Sequence, residues 1–374
     1  MTASSKRSIE EPGDLHGLMG QVVARRFRVL SLRHAGPRST VYETEPPGVG
    51  RCRRALKVLT LPEAREPEAL ERLHGHVDRV RMVEHPHLER AYELGTLPDG
   101  TPYLVTEWLP LDTLDDAQAH GGRPPAARAL QVVASVAEGL AALHAQGLVH
   151  GDVRPEHVMV QPARDGYARV VLTDAGISAR LEARIPLTLN GPLAYLSPQR
   201  VRGGRATAPD DVYALGVLAY HLLTGHSPFA ADDERARGVS PDPIERVRWL
   251  HEHALPIRPR DRVPKPEFGQ QVEAVLGRAL AKDPAHRYVD GAALLSALDR
   301  AQAFEGGGDL AGLFHGQTPA PRAPTPAPSG ERTPEPAYFE GPTELPPPSG
   351  GAREMVWGWA AAGVALGGLL AWIL

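Results

Sequence analysis

Three short stretches carry the residues best suited to chemistry: RALKVL with Lys57, HGDVRPEH (His150 to His157) with Asp152, and TDAG (Thr173 to Gly176) with Asp174. An ammonium and two carboxylates are what transfer of a phosphoryl group from a nucleotide requires. The lysine neutralises oxygens of the α- and β-phosphates. One aspartate orients and deprotonates an acceptor hydroxyl, and the other holds the magnesium ion that bridges the phosphates. Lys57 also stands out on composition, because only four of the 41 cationic residues are lysine (Lys6, Lys57, Lys265 and Lys282). A compact ammonium kept in an arginine-dominated chain points to a charge requirement that a planar guanidinium does not meet.

The elements that must position these groups follow from hydrophobic periodicity. Ala55-Leu56-Lys57-Val58-Leu59 and Tyr103-Leu104-Val105-Thr106 alternate as strands, whereas Leu130, Val133, Ala137, Leu140 and Leu143 recur on one helix face. From about Phe27 to Ala303 the first third is strand-rich and the remainder helical, which predicts two lobes. With 42% apolar residues in a chain of 374, disorder throughout is excluded. A net charge of −4 gives no general reason to expect nucleic-acid binding. The single cysteine, Cys52, forms no internal disulfide, so an ordinary core in a reducing compartment is expected.

Taken in this order, the motifs resemble those of the protein kinase family, in particular the bacterial Ser/Thr kinases of eukaryotic type, over about Phe27 to Ala303. Five more stretches fall in the same order: HPHLERAYELG (His85 to Gly95), YLVTEWL (Tyr103 to Leu109), AYLSPQ (Ala194 to Gln199), DVYALG (Asp211 to Gly216) and KDPAHR (Lys282 to Arg287). The resemblance implies an α+β, two-lobed fold: a small antiparallel-sheet lobe with one regulatory helix, and a larger helical lobe. It also implies ATP and Mg²⁺ as cofactors. Asp152 is then the base, Lys57 meets the phosphates, Arg154 steadies the transferred group, and Asp174 holds the metal. Gly36 belongs to the phosphate-covering loop. Val41, Ala55 and Met159 sandwich an adenine whose edge meets backbone groups of Glu107 and Leu109, with Thr106 at the back of the pocket.

Several positions depart from the family pattern. The glycine-rich loop reads His34-Ala35-Gly36-Pro37-Arg38-Ser39-Thr40-Val41, keeping one glycine, with Arg38 as a cation that partly compensates. His76 stands where the regulatory helix places a glutamate. Asp78 and Glu71 lie about 200° and 140° around that helix, so neither reaches Lys57. A neutral imidazole at His76 would accept a hydrogen bond from Lys57. His157 replaces the asparagine of the second metal position, which weakens a magnesium site and favours Mn²⁺. Gly151 replaces an arginine that reads a phosphorylated activation segment, so phosphorylation of Thr188 is not expected to switch activity through the usual ion pair. Ala175, Pro192 and Gln199 thin the supporting contacts, Gln199 by turning a buried ion pair with Arg287 into a neutral hydrogen bond. Two readings follow: a weak or conditionally active Ser/Thr kinase, or a pseudokinase acting as a nucleotide-binding or docking scaffold. A third, a kinase-fold enzyme acting on a small molecule or transferring a nucleotidyl group, has less behind it, because AYLSP and the Pro-rich tether fit the protein-kinase branch.

Residues 1–26 form an extension without signal-peptide character, and 27–303 the kinase-like domain. Residues 304–353 form a Pro-rich disordered juxtamembrane linker, with eleven prolines among the 35 residues from Gln317 to Gly351. Its reach lies between ~35 Å as a coil and ~110 Å as polyproline. Residues 354–374 read as a C-terminal transmembrane helix: Met355 to Leu374 are uncharged, with Trp357, Trp359 and Trp372 as interfacial anchors. This predicts a single-pass anchor in the cell membrane with the kinase-like domain cytoplasmic. Gly363 and Gly367 form a small-xxx-small step suited to dimer formation in the membrane.

Overall fold

A computed structural model describes residues 14–48, 52–163, 166–177, 192–229, 236, 238–263 and 266–305. Thr188, the Pro-rich stretch from 306 onward, the apolar C-terminus and the Gly363/Gly367 step lie outside the described residues.

Strands β1 (Val22–Val23), β2 (Phe27–Ala35), β3 (Ser39–Glu45), β4 (Arg54–Leu59), β5 (Ala91–Thr96) and β6 (Pro102–Glu107) form one antiparallel sheet in the order β1-β2-β3-β4-β6-β5. The period-two alternation of RALKVL decides what each face does. Leu56 and Val58 join Phe27, Val29, Tyr42, Tyr103 and Val105 in the lobe's core, leaving Ala55 and Lys57 on the opposite face. The sheet begins at Val22, ahead of Phe27, and residues before it pack on: Tyr42 Oη donates to Asp14 Oδ1 at 2.7 Å. Helix α1 (Pro67–Val80) starts on a proline and buries Ala69, Leu73, His76, Val77 and Val80 along one stripe.

The large lobe contains α2 (Leu114–Gly121), α3 (Ala126–Ala145), α4 (Ala208–Thr224), α5 (Pro243–His253), α6 (Gln270–Ala279) and α7 (Gly291–Glu305). A small sheet of β7 (Asp112–Thr113), β8 (Val158–Ala163) and β9 (Gly166–Leu172) lies beside them. Among the described residues α3 is the one helix long and apolar enough to cross a membrane, and it is two-thirds buried as a core helix of this lobe. Helix α4 is held at both ends: Thr207 and Asp210 form a capping box, and Gly225 closes it in the left-handed region.

One buried histidine makes the large lobe acid-sensitive. His251 is 2% exposed, Tyr213 Oη lies 3.0 Å from its Nδ1, and burial holds its pKa down at about 3 from an ordinary 6.5. The unfolded chain therefore takes up a proton below pH 6.5 that the folded chain refuses, and stability falls with pH until about 3. Between pH 6.5 and 5 this amounts to about 2 kcal/mol. His251→Gln is expected to reduce the stability lost between pH 7 and 5 by that amount in urea titrations. An unchanged pH dependence would rule the assignment out.

Candidate active site

Register brings the first charge into place. Lys57 on β4 pairs with Val41 on β3 and with Leu104 on β6, so its side chain leaves the sheet beside the β2–β3 hairpin. Its Nζ donates to Asp174 Oδ1. Asp174 follows β9, whose end is fastened to the chain after α1: Glu89 N–H donates to the Leu172 carbonyl and Leu172 N–H to that of His87, both at 2.9 Å. Asp174 and Gly176 have φ of +65° and +74°, a sharp local turn that aspartate tolerates and glycine adopts freely.

The second carboxylate sits on a loop organised by α4. Asp211 accepts from the backbone N–H of His150 (2.8 Å) and Gly151 (2.7 Å), and from His144 Nε2 (3.0 Å). His144 Nδ1 in turn accepts from Gly291 N–H at 3.1 Å, which ties α3, α4, α7 and the loop together. Gly151 has φ +74°, where a side chain would be strained. His150 donates from Nε2 to the Thr173 carbonyl (2.8 Å) and accepts from Asp152 N–H (3.2 Å), joining the loop to the segment that carries Asp174.

Asp152 is buried between two guanidinium groups: Arg154 Nε lies 3.2 Å from Oδ1 and Arg38 Nη1 lies 3.2 Å from Oδ2. Burial alone would raise its pKa, but the opposing fields of His157, Arg154 and Arg38 outweigh it and hold the carboxyl below its ordinary value. Asp174 follows the same pattern, with burial opposed by Lys57 and His157 and the net shift downward. Both groups are therefore carboxylates at neutral pH.

His157 joins the two acids. Its Nδ1 donates to the Asp152 carbonyl at 2.8 Å, which leaves the Nε2 lone pair as acceptor for Arg154 Nη2 at 3.2 Å. Burial lowers its pKa to about 4, against the pull of Asp152 and Asp174, so the ring is neutral. Nε2 is 3.3 Å from Asp174 Oδ2. One nitrogen and one oxygen at that separation would fit adjacent positions around a divalent cation once Arg154 Nη2 leaves the Nε2 lone pair.

The other predicted residues fall as follows. Ala55 and Leu109 are buried, and Met159 packs against Leu109, Leu111 and Val171. Val41 lies directly across from Lys57, and Ala55 from Thr106. Gly36 closes the hairpin turn through its N–H to Ser39 O (2.9 Å). A side chain there would strike His34, whose Nε2 lies 2.7 Å from the Cβ position.

One expectation is corrected, and two residues gain partners that the sequence does not announce. His76 gives its Nε2 hydrogen bond to the Ala175 carbonyl at 2.9 Å rather than meeting Lys57, and its ring lies against Gly176. The ammonium instead takes Asp174, the stronger, charged acceptor. Arg38 lies on Asp152, a contact across the cleft. Gln199 Oε1 does accept from Arg287 at 2.6 Å, but that arginine keeps a buried ion pair, to Asp210 at 3.3 Å.

Sequence reasoning missed Glu89. Its Oε2 accepts from Asp174 N–H at 3.3 Å, and burial together with the Asp174 charge pushes its pKa up to about 7, with Thr106 and Lys57 opposing. Within HPHLERAYELG nothing periodic distinguishes Glu89 from the other polar residues.

Comparison with known proteins agrees with this geometry. Residues 36–295 match the protein kinase domain family. The chain is 29% identical over 274 residues to the serine/threonine-protein kinase PrkC of Bacillus subtilis, covering 72% of this chain and 40% of PrkC. It is 34% identical to PknL of Mycobacterium bovis, covering 76% of this chain and 67% of PknL, and 30% identical to PknA of Mycobacterium tuberculosis, covering 92% and 79%. The chain thus spans less than half the length of PrkC. Its fold matches the crystal structure of the Mycobacterium tuberculosis PknI kinase domain with a TM-score of 0.57 at 24% identity, covering 76% of this chain and 98% of that one. With an antiparallel small lobe, a helical large lobe and this match across both, the chain belongs to the protein kinase family, among the bacterial serine/threonine kinases of eukaryotic type.

Proposed function

We propose that the chain is a Ser/Thr protein kinase of low or conditional activity, anchored in the cell membrane by residues 354–374 with residues 27–303 as its cytoplasmic catalytic domain. The Pro-rich stretch 304–353 is its tether, residues 1–26 its N-terminal extension, and Gly363 and Gly367 its pairing step in the membrane. The observation that carries the catalytic reading is the unbroken run Lys57–Asp174–His157–Asp152, in which one ammonium and two carboxylates share a cleft.

ATP with a divalent ion supplies the phosphoryl group. Val41, Ala55, Met159 and Leu109 bury the adenine face, and backbone groups of Glu107 and Leu109 take its edge. The Gly36 turn covers the phosphates, and Lys57 leaves Asp174 to neutralise them. Asp174 and His157 hold the metal. Asp152 accepts the proton of a protein Ser or Thr hydroxyl, and Arg154, already beside it, steadies the transferred group. Low activity follows from the arrangement of charge: Arg38 and Arg154 each lie on one oxygen of Asp152, and α1 offers Lys57 no carboxylate. The same Arg38 contact favours the second reading, a pseudokinase that binds nucleotide or a partner without transfer.

Single-turnover transfer of γ-phosphate to a generic protein acceptor separates the two. The kinase reading expects transfer with Mn²⁺ at least about tenfold faster than with Mg²⁺, because an imidazole nitrogen suits Mn²⁺ better. His157→Asn is expected to close that gap. Absence of transfer with either ion would leave the pseudokinase, and equal rates would remove the metal preference.

A further inference from the structure

The charges in the cleft do not balance once Asp174 is needed elsewhere. In this structure a single carboxylate, Asp174, serves both Lys57 through Oδ1 and the neighbourhood of His157 through Oδ2. When its oxygens turn to a metal ion, the Lys57 ammonium loses its partner. The neighbouring ionisable groups are His34, His157, His150 and Glu89. His157 is neutral, and burial and Lys57 hold the pKa of His34 down. Helix α1 buries Ala69, Leu73, His76, Val77 and Val80 and so presents no acid to the cleft.

Glu89 is built into that gap. Its backbone is locked to β9 by the N–H to Leu172 O at 2.9 Å, which delivers the side chain next to Asp174 irrespective of where α1 lies. Its Oε2 accepts from Asp174 N–H at 3.3 Å, and Thr106 is close enough to oppose the rise in its pKa. With Val77, Val80, Leu104, Thr106 and Asp174 it lines the small pocket between α1 and β6. An acid among such apolar neighbours costs stability unless a cation compensates it, and Lys57 is the cation whose field reaches it.

We propose that Glu89, fixed to β9, is the positioning residue that holds Lys57 for nucleotide when Asp174 is engaged with metal, replacing the acid that α1 lacks. This rests on the nucleotide-binding reading above. It separates lysine positioning from movement of α1, so that site assembly does not depend on swinging that helix.

The test measures dissociation constants for ATP with Mn²⁺ by calorimetric titration, beside melting temperatures without nucleotide, for the full chain. Glu89→Gln is expected to weaken ATP about tenfold while the nucleotide-free melting temperature stays level or rises, as removal of a half-buried acid among apolar neighbours allows. Glu89→Asp is expected to stay within about threefold of the parent. Because Glu89 acts through the ammonium, adding Glu89→Gln to Lys57→Met should cost nothing further. Parent-like affinity in Glu89→Gln, or additive losses in the double variant, would overturn the proposal alone. A parent chain that binds no ATP would overturn the parent reading together with it.

Discussion

Asp152→Asn is expected to lower single-turnover phosphate transfer about 10³-fold while leaving nucleotide-dependent thermal stabilisation intact. The expectation comes from what the substitution keeps. Asp152 is held by its backbone, with its N–H on His150 Nδ1 at 3.2 Å and its carbonyl accepting from His157 Nδ1 at 2.8 Å, and neither bond involves the carboxylate. An amide of the same shape therefore stays in place. It can no longer accept a proton, and it turns one N–H toward a guanidinium at Arg154 or Arg38. General-base losses of about 10² to 10⁴ are typical for such a change. Nucleotide contacts assigned to Lys57, Val41 and Ala55 lie on the other lobe and are untouched. Equal transfer by parent and variant would transfer the chain to the pseudokinase reading, because no other carboxylate in this loop is placed to take the proton. Glu156 is turned to Arg154 Nη1 at 2.9 Å.

How far the sequence reveals this site depends on whether a residue's task is local. Lys57 is readable because strand alternation in RALKVL forces one face to the core, where Leu56 and Val58 go, and the other to the cleft. His150, Asp152 and Asp174 are readable because short loop motifs hold them in fixed order. The failures all concern partners chosen across the fold. That Arg38 meets Asp152 depends on how the hairpin tip approaches the loop carrying Asp152, 114 residues away in sequence. The imidazole of His76 can accept from Lys57 or donate to a carbonyl, and position on α1 alone does not say that the Ala175 carbonyl wins. Glu89 is hidden because its importance comes from the pairing of its backbone with Leu172, an edge contact that no periodicity announces. The same logic explains Gln199. Read locally, its neutral amide looks like a lost ion pair, whereas the compensating charge, Asp210, belongs to the capping box of α4, which no local reading connects to Gln199.

That compensation makes Arg287 the position where a single substitution should cost the large lobe most. Its side chain is fully buried, and every donor is used: Nε to the Ala281 carbonyl (2.7 Å), Nη1 to Pro209 O (3.1 Å) and Asp210 Oδ1 (3.3 Å), Nη2 to Gln199 Oε1 (2.6 Å) and Lys282 O (3.0 Å). The guanidinium also lies 4.8 Å from the centre of the Tyr213 ring. Arg287→Ala removes the cation, leaves three carbonyls and an amide oxygen without this donor, and strands the Asp210 carboxylate 5% exposed. Breaking a buried pair from one side costs about 3–5 kcal/mol, which corresponds to a fall of roughly 10 °C in melting temperature for a domain of this size. Arg287→Lys should recover little of it, since an ammonium cannot span the fork of acceptors that the planar group satisfies. Gln199→Glu, by contrast, should change stability by less than about 1 kcal/mol, because Asp210 already neutralises the guanidinium and a second acid meets its repulsion as well as the arginine. Thermal melts of the three variants beside the parent decide the matter. A large gain in Gln199→Glu would show that Asp210 does not carry the charge, and a mild loss in Arg287→Ala would show that the cluster is packing alone.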